Sequence, residues 1–133
     1  KIFDLLNVEF GFTLDPCANA KNAKCLRYFT KKDDGLTKSW AGEIVFMNPP
    51  YGKEISKWIE KAYSETSATV VCLVSSRTDT KWWHRYCMKA DEIRFFTRRL
   101  EFEGTGNKAP FPSALIIFKQ GRHNTGYPAL GTT

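Results

Sequence analysis

The chain has 133 residues, the size of one domain, and at 42% hydrophobic and 14% aromatic it can bury a core. Its 6 Pro and 9 Gly are too few for a disordered or fibrous protein, no apolar run reaches membrane-spanning length, and no signal peptide is visible. The net charge of +6 is lopsided: residues 1–76 carry 10 Lys/Arg against 9 Asp/Glu, and residues 77–133 carry 10 against 5. That asymmetry points to a polyanionic partner for the second part, nucleic acid above all, or else to a basic solvated surface.

Taken in chain order, Ile2, Phe3, Leu5, Leu6 and Phe10 fall close to helical spacing and predict a helix over 2–10, ended by Gly11. Residues 12–14 predict a short strand stopped by Asp15-Pro16. A second strand is expected over 26–30, before the acidic turn Asp33-Asp34-Gly35. A third over 43–47 is cut off by Asn48-Pro49-Pro50. Ile55, Trp58, Ile59 and Ala62 place an amphipathic helix over 53–67. The β-branched run 69–74 reads as a strand buried on both faces. A helix follows over 80–90, capped by Asp79 or Thr80, then a strand over 92–102, a loop over 104–112 and a final strand over 113–119. The Gly-, Thr- and Asn-rich tail, 120–133, reads as loose, and no repeat or domain boundary divides 1–133. Lys1 stands where an initiator Met would, as in a trimmed chain.

Strands alternating with helices predict a mainly parallel α/β sheet. The last two strands have no helix between them, and a short loop joins only antiparallel neighbours, so one antiparallel strand is expected at the end. In such sheets ligands sit outside the carboxyl ends of the strands. Asp15-Pro16-Cys17-Ala18, Asn48-Pro49-Pro50-Tyr51-Gly52 and Ser75-Ser76-Arg77-Thr78-Asp79 all fall there.

The second of these loops carries the sharpest chemistry. Two prolines fix their φ angles and remove two backbone donors. The carbonyls of Asn48 and Pro49 are then held in a rigid turn, and the Asn48 side chain adds another acceptor. Tyr51 sets a flat ring beside them. A rigid pair of acceptors next to an aromatic face fits a planar amine with two N–H groups. Accepting both hydrogens draws the nitrogen toward sp³ geometry and frees its lone pair for attack on an electrophile, by positioning and preorganised dipoles rather than by a strong base. The bland alternative is a strand-ending Pro-Pro turn before a helix.

Asn48-Pro49-Pro50-Tyr51 resembles the catalytic motif of S-adenosylmethionine-dependent amino methyltransferases. Leu14-Asp15-Pro16-Cys17-Ala18, Asn22-Ala23-Lys24-Cys25, Asp34-Gly35-Leu36 with Trp40, Arg77-Thr78-Asp79-Thr80, Arg99-Leu100-Glu101-Phe102 and Ala109-Pro110-Phe111-Pro112-Ser113 extend the match. In that order they are similar to the phage-type DNA N6-adenine methyltransferase family. The resemblance implies a Rossmann-like class I methyltransferase sheet, mostly parallel with a terminal antiparallel strand. It is abbreviated here, because the stretch between Asp15 and Asn48 is too short for two full crossovers and one peripheral strand or helix is lost or short.

The implied activity is methyl transfer from S-adenosylmethionine to adenine N6 in DNA, in the cytoplasm, the host's if the gene is a phage's. Asn48, Pro49, Pro50 and Tyr51 take the catalytic places. Asp15, Pro16, Cys17, Ala18, Asp34 and Asn48 take the cofactor's, with Asp33 as rival to Asp34. The first loop lacks the superfamily's glycines, for which small Ala18 and Ala20 stand in. Arg77, Lys81, Arg98, Arg99 and Lys108 are candidates for DNA phosphate. Trp82 and Trp83 could stack on bases or fill the core, and His84 and His123 read as structural or solvated. The four cysteines form no C-x-x-C pair and no metal site is expected. The same chemistry on cytosine N4, RNA adenine or a protein glutamine amide, and an inactive nucleic-acid-binding domain, remain alternatives. The oligomeric state is left open.

Overall fold

In the computed structural model, which describes residues 2–19, 21–101, 106–122 and 127–131, the chain opens with helix α1 (Ile2–Phe10). Leu6 is its buried residue, and Gly11 at φ 68° closes it with an N–H donated to the Asn7 carbonyl. The chain then enters β1 (Leu14–Asp15) and β2 (Arg27–Tyr28), two residues each. A 3₁₀ turn over Gly35–Thr37 leads to β3 (Ile44–Met47).

The amphipathic stretch forms α2 (Ile55–Ser64), shorter at both ends than its pattern suggests. Helix α2 starts from Glu54 without a side-chain cap. The apolar run becomes β4 (Thr69–Ser75). Only Lys81–Arg85 of the expected third helix is α-helical (α3), with Thr80 accepting the Trp83 N–H as its cap. At Tyr86 (φ −122°, ψ −51°) the backbone leaves the helix, and Cys87–Lys89 continues as a 3₁₀ turn. Strands β5 (Glu92–Phe95) and β6 (Ser113–Phe118) complete the sheet. The strand expected over 92–102 stops at Phe95, and beyond it Glu101 bridges Lys108 in antiparallel fashion. Ala20, Phe102 and His123 lie outside the described residues.

The six strands lie in the order β2-β1-β3-β4-β6-β5. β1 runs parallel to β2 and β3, and β3 parallel to β4. β6 is antiparallel to both neighbours, β4 and β5. The expected antiparallel strand is therefore last but one in space, inserted between two others. Its sequence, Ser113-Ala114-Leu115-Ile116-Ile117-Phe118, is buried at every position, as an interior strand requires, while β5 keeps the partly exposed edge. Among the described residues the sheet has six strands and is mostly parallel.

One face of the sheet buries Val45, Val70, Cys72, Ile116 and Phe118 against Trp40, Trp58, Ile59 and Trp83. The other buries Phe46, Val71, Leu115 and Ile117 under α1 and the residues flanking it, through Leu6 and the rings of Phe3, Phe10 and Phe12, with Phe96 packed beside them. Part of the tail is tied down. The Arg122 guanidinium donates to the carbonyls of Ala62 in the last turn of α2 and of Glu65 and Ala68 beyond it, and the Ile93 N–H donates to the Tyr127 hydroxyl.

Candidate functional site

After β1 the chain moves to β2 on one side, and after β3 to β4 on the other. The strand order reverses between β1 and β3, and in such sheets ligands bind outside the carboxyl ends at that point. Asp15 ends β1, and Asn48 directly follows β3.

Asp15 is buried, and its carboxylate organises its own loop. Oδ1 accepts the Cys17 N–H at 3.3 Å and Oδ2 the Lys24 N–H at 3.0 Å. Burial raises its pKa, while the two amide donors and the Lys24 charge pull it down. The Phe29 N–H donates to the Asp15 carbonyl and the Ala18 N–H to the Phe29 carbonyl, so the loop is also laced to β2. Pro16 is fully buried. Burial pushes the Cys17 thiol well above its ordinary range, the Asp15 charge adds to this, and a hydrogen bond from the Asn48 backbone amide opposes it. Cys17 is thus a neutral group in this loop.

The glycine absent from this loop is found across from it. A Cβ on Gly35 would lie 2.4 Å from the Pro16 carbonyl oxygen, inside any tolerable contact. Close backbone approach is met by Gly35, and its own carbonyl accepts the Trp40 indole N–H at 3.1 Å. Beside it Asp34 adopts a left-handed conformation (φ 58°), and its carboxylate accepts the Leu36 N–H. Asp33 instead accepts the Thr30 N–H and hydroxyl, bonds that hold its pKa down. Of the two acids, Asp34 is the one whose neighbour Gly35 packs on the Asp15 loop.

In the second loop Pro49 is buried while Asn48, Pro50 and Tyr51 are exposed. Tyr51 keeps 55% of its surface. Among the described residues nothing hydrogen-bonds the Asn48 side chain. Two cavities flank Tyr51. The larger, about 510 Å³, includes Asn48, Phe46, Lys24, Glu101 and Ser113 in its walls. The smaller, about 370 Å³, includes Lys53, Arg77, Trp82 and Phe111.

The sequence reading placed Tyr51 and Arg77 near one edge, and the fold joins them through Phe111. That ring meets Tyr51 edge-to-face at 4.8 Å (82°) and carries the Arg77 guanidinium 5.3 Å above it. Phe111 was legible only as one letter of a motif. Lys81 is exposed on α3. Arg98, Arg99 and Lys108 are exposed on the connection between β5 and β6, where Leu100, Glu101 and Ala109 wall the larger cavity.

Two arginines of the basic half are internal fittings instead: Arg122 at α2, and Arg94, bonded to Glu9 at 2.7 and 2.8 Å and to Glu92. Trp83 is core, Trp82 is half-buried, and His84 is exposed with Nε2 2.6 Å from the Thr78 carbonyl oxygen. Among the described residues no cluster of His, Cys, Asp or Glu suits a metal ion, and no helix is long and apolar enough to cross a membrane.

The family model described as DNA N-6-adenine-methyltransferase (Dam) matches residues 1–124. The DNA N-6-adenine-methyltransferase of Haemophilus phage HP1 (strain HP1c1) is 32% identical over 117 residues, covering 81% of this chain and 67% of the relative. YfdM of Escherichia coli (strain K12) is 39% identical over 57 residues, covering 38% of this chain and 63% of that protein. The crystal structure of SMU.472 complexed with SAH aligns with a TM-score of 0.44 at 16% identity, over 73% of this chain and 25% of that one. The chain is therefore shorter than the phage HP1 protein and SMU.472 and longer than YfdM.

Proposed function

The chain belongs to the DNA N-6-adenine-methyltransferase family, and from that premise we propose that residues 1–133 act as one domain that methylates adenine N6 in DNA at the crevice between β1 and β3. S-adenosylmethionine, when bound, supplies a methyl group activated on a sulfonium.

The groups at the crevice fit that donor. Asp15 and Asp34 are carboxylates suited to its ammonium and to the amino group of its adenine, as the family resemblance assigns them. Pro16, Cys17 and Ala18 give the loop an apolar or neutral surface. The larger cavity carries both signs of charge, Lys24 and Glu101, as the amino-acid end of the donor requires.

The chain's own residues then act on the acceptor. The Asn48 side-chain oxygen and the Pro49 carbonyl accept the two N6 hydrogens of adenine. Tyr51, already half in solvent, stacks on the base. With both hydrogens held, the nitrogen lone pair points at the methyl, and the spare proton leaves to water after transfer. A duplex hides that amine, so the base is flipped out, or a single strand is used, at a cost of about a few kcal/mol for unstacking. Arg77, Lys81, Arg98, Arg99 and Lys108 hold the phosphates. The reaction belongs in the cytoplasm, the host's for a phage gene.

The observation that carries this reading is Asn48-Pro49-Pro50-Tyr51 at the end of β3, with Asn48 and Tyr51 exposed in the wall of the larger cavity. Labelled S-adenosylmethionine and adenine-containing DNA test it. Label is expected on N6-methyladenine after hydrolysis to nucleosides, and label on cytosine, RNA or protein alone would give the activity to another amine. No transfer by folded protein across varied DNA sequences overturns the reading.

A further inference from the structure

We propose that the smaller cavity binds the nucleotide adjoining the target adenine on the same DNA strand, an inference that rests on the larger cavity being the place of methyl transfer. Asn48 lines the larger cavity and not the smaller, so the reacting amine belongs to the larger. What remains in the smaller is distinctive. Three aromatic side chains, Tyr51, Trp82 and Phe111, share its walls with two cations, Lys53 and Arg77, and among the described residues no carboxylate lines it.

The larger cavity by contrast carries one cation and one acid, Lys24 and Glu101. Aromatic walls select a flat heterocycle, and cations without acids select an anion. A nucleobase with its phosphate is both. The rings are preset: Phe111 stands edge-to-face with Tyr51 at 4.8 Å and is covered by Arg77 at 5.3 Å. Neither Tyr51 nor Phe111 belongs to the packed cores on the two faces of the sheet, so their pairing is not a by-product of core packing.

Tyr51 is also the wall common to both cavities. A base on its far side is therefore one nucleotide along the strand from the base held by Asn48. Every base offers a π face, so this subsite grips without reading sequence. It holds two successive bases unstacked from each other, and so favours single strands or readily melted duplex.

The test uses short single-stranded oligonucleotides with one adenine, whose 5′ or 3′ neighbour is either a normal nucleotide or an abasic one. In the wild-type protein, loss of the neighbouring base on one side is expected to lower kcat/KM about 10-fold, and loss on the other side to leave it unchanged. In Phe111→Leu the intact oligonucleotide falls about 10-fold, and the abasic change adds no further loss. Arg77→Gln, which keeps both rings, retains the abasic effect but weakens binding of every oligonucleotide. Circular dichroism checks each fold, and Arg77→Gln serves alone if Phe111→Leu does not fold. Indifference of the wild type to both abasic positions, or penalties that multiply in Phe111→Leu, overturns the proposal. Failure of the wild type to methylate any adenine overturns the underlying reading instead. Equilibrium binding of the same oligonucleotides then decides the subsite: preference for the intact neighbour, lost in Phe111→Leu, supports it, and equal binding overturns it.

Discussion

The two loops that meet at the reversal of strand order treat their polar side chains in opposite ways. In the first, the Asp15 carboxylate turns inward and accepts two amides of its own loop. In the second, prolines hold the backbone, and Asn48 and Tyr51 face outward. A carboxylate that shapes its loop cannot be removed without moving the loop. An amide on a proline-stiffened turn can. The difference teaches that neighbouring residues of one site can fail for different reasons, one through shape and one through chemistry.

The largest effect tests the outward loop. Asn48→Ala is expected to lower methyl transfer by about 100-fold or more, the usual scale for one preorganised polar group, with melting temperature unchanged. Parallel loss of stability would erase the contrast between the loops. Asp15→Ala should do what Asn48→Ala does not. It leaves two amides without their acceptor, each worth roughly 1–3 kcal/mol, and should lower unfolding free energy in urea by about 2–4 kcal/mol while weakening cofactor binding. An Asp15→Ala protein of full stability would show that the loop is held by its backbone alone.

Gly35→Ala probes the same loop from across the crevice. The new methyl meets the Pro16 carbonyl, so a cost of about 1–3 kcal/mol and a loss of cofactor affinity by calorimetry are expected together. Loss of stability without loss of affinity would separate the Gly35 turn from the cofactor site. Arg98→Gln, on the basic connection, should leave stability unchanged and reduce the salt slope of DNA binding by about 1.

The smallest effect concerns pH. Burial raises the Asp15 pKa above its ordinary 3.8, so the folded chain binds this proton more tightly than the unfolded one. Its contribution is fully present below 3.8 and declines as pH rises through the raised value. Asp15→Asn should flatten that part of the stability profile, and an unchanged slope there would assign it to other acids.

Much of this was legible in the chain. Gly11, Asp15-Pro16 and Asn48-Pro49-Pro50 punctuate the elements where the sequence places them, because glycine and proline act on their own φ angles. The run through Val70 and Val71 reads as a buried strand because its branching and burial are local properties. The helix over 80–90 and the strand over 92–102 end earlier than the sequence predicts, since apolar spacing does not register where a neighbour ceases to support the element. At Tyr86 the chain leaves the helix, and after Phe95 it leaves the sheet.

Chemical identity was likewise in the sequence: an acceptor-rich turn beside an aromatic ring, an acid ending the first strand, and a basic second half. The tertiary structure alone decided which of these groups are free to act. It placed Gly35 under Pro16, used Phe111 to couple Tyr51 to Arg77, and set Arg94 and Arg122 to structural duty although composition had counted them with the DNA-facing charge. These are contacts between residues far apart in the chain. No periodicity or propensity encodes such a pairing, and only closure of the sheet brings the partners within reach.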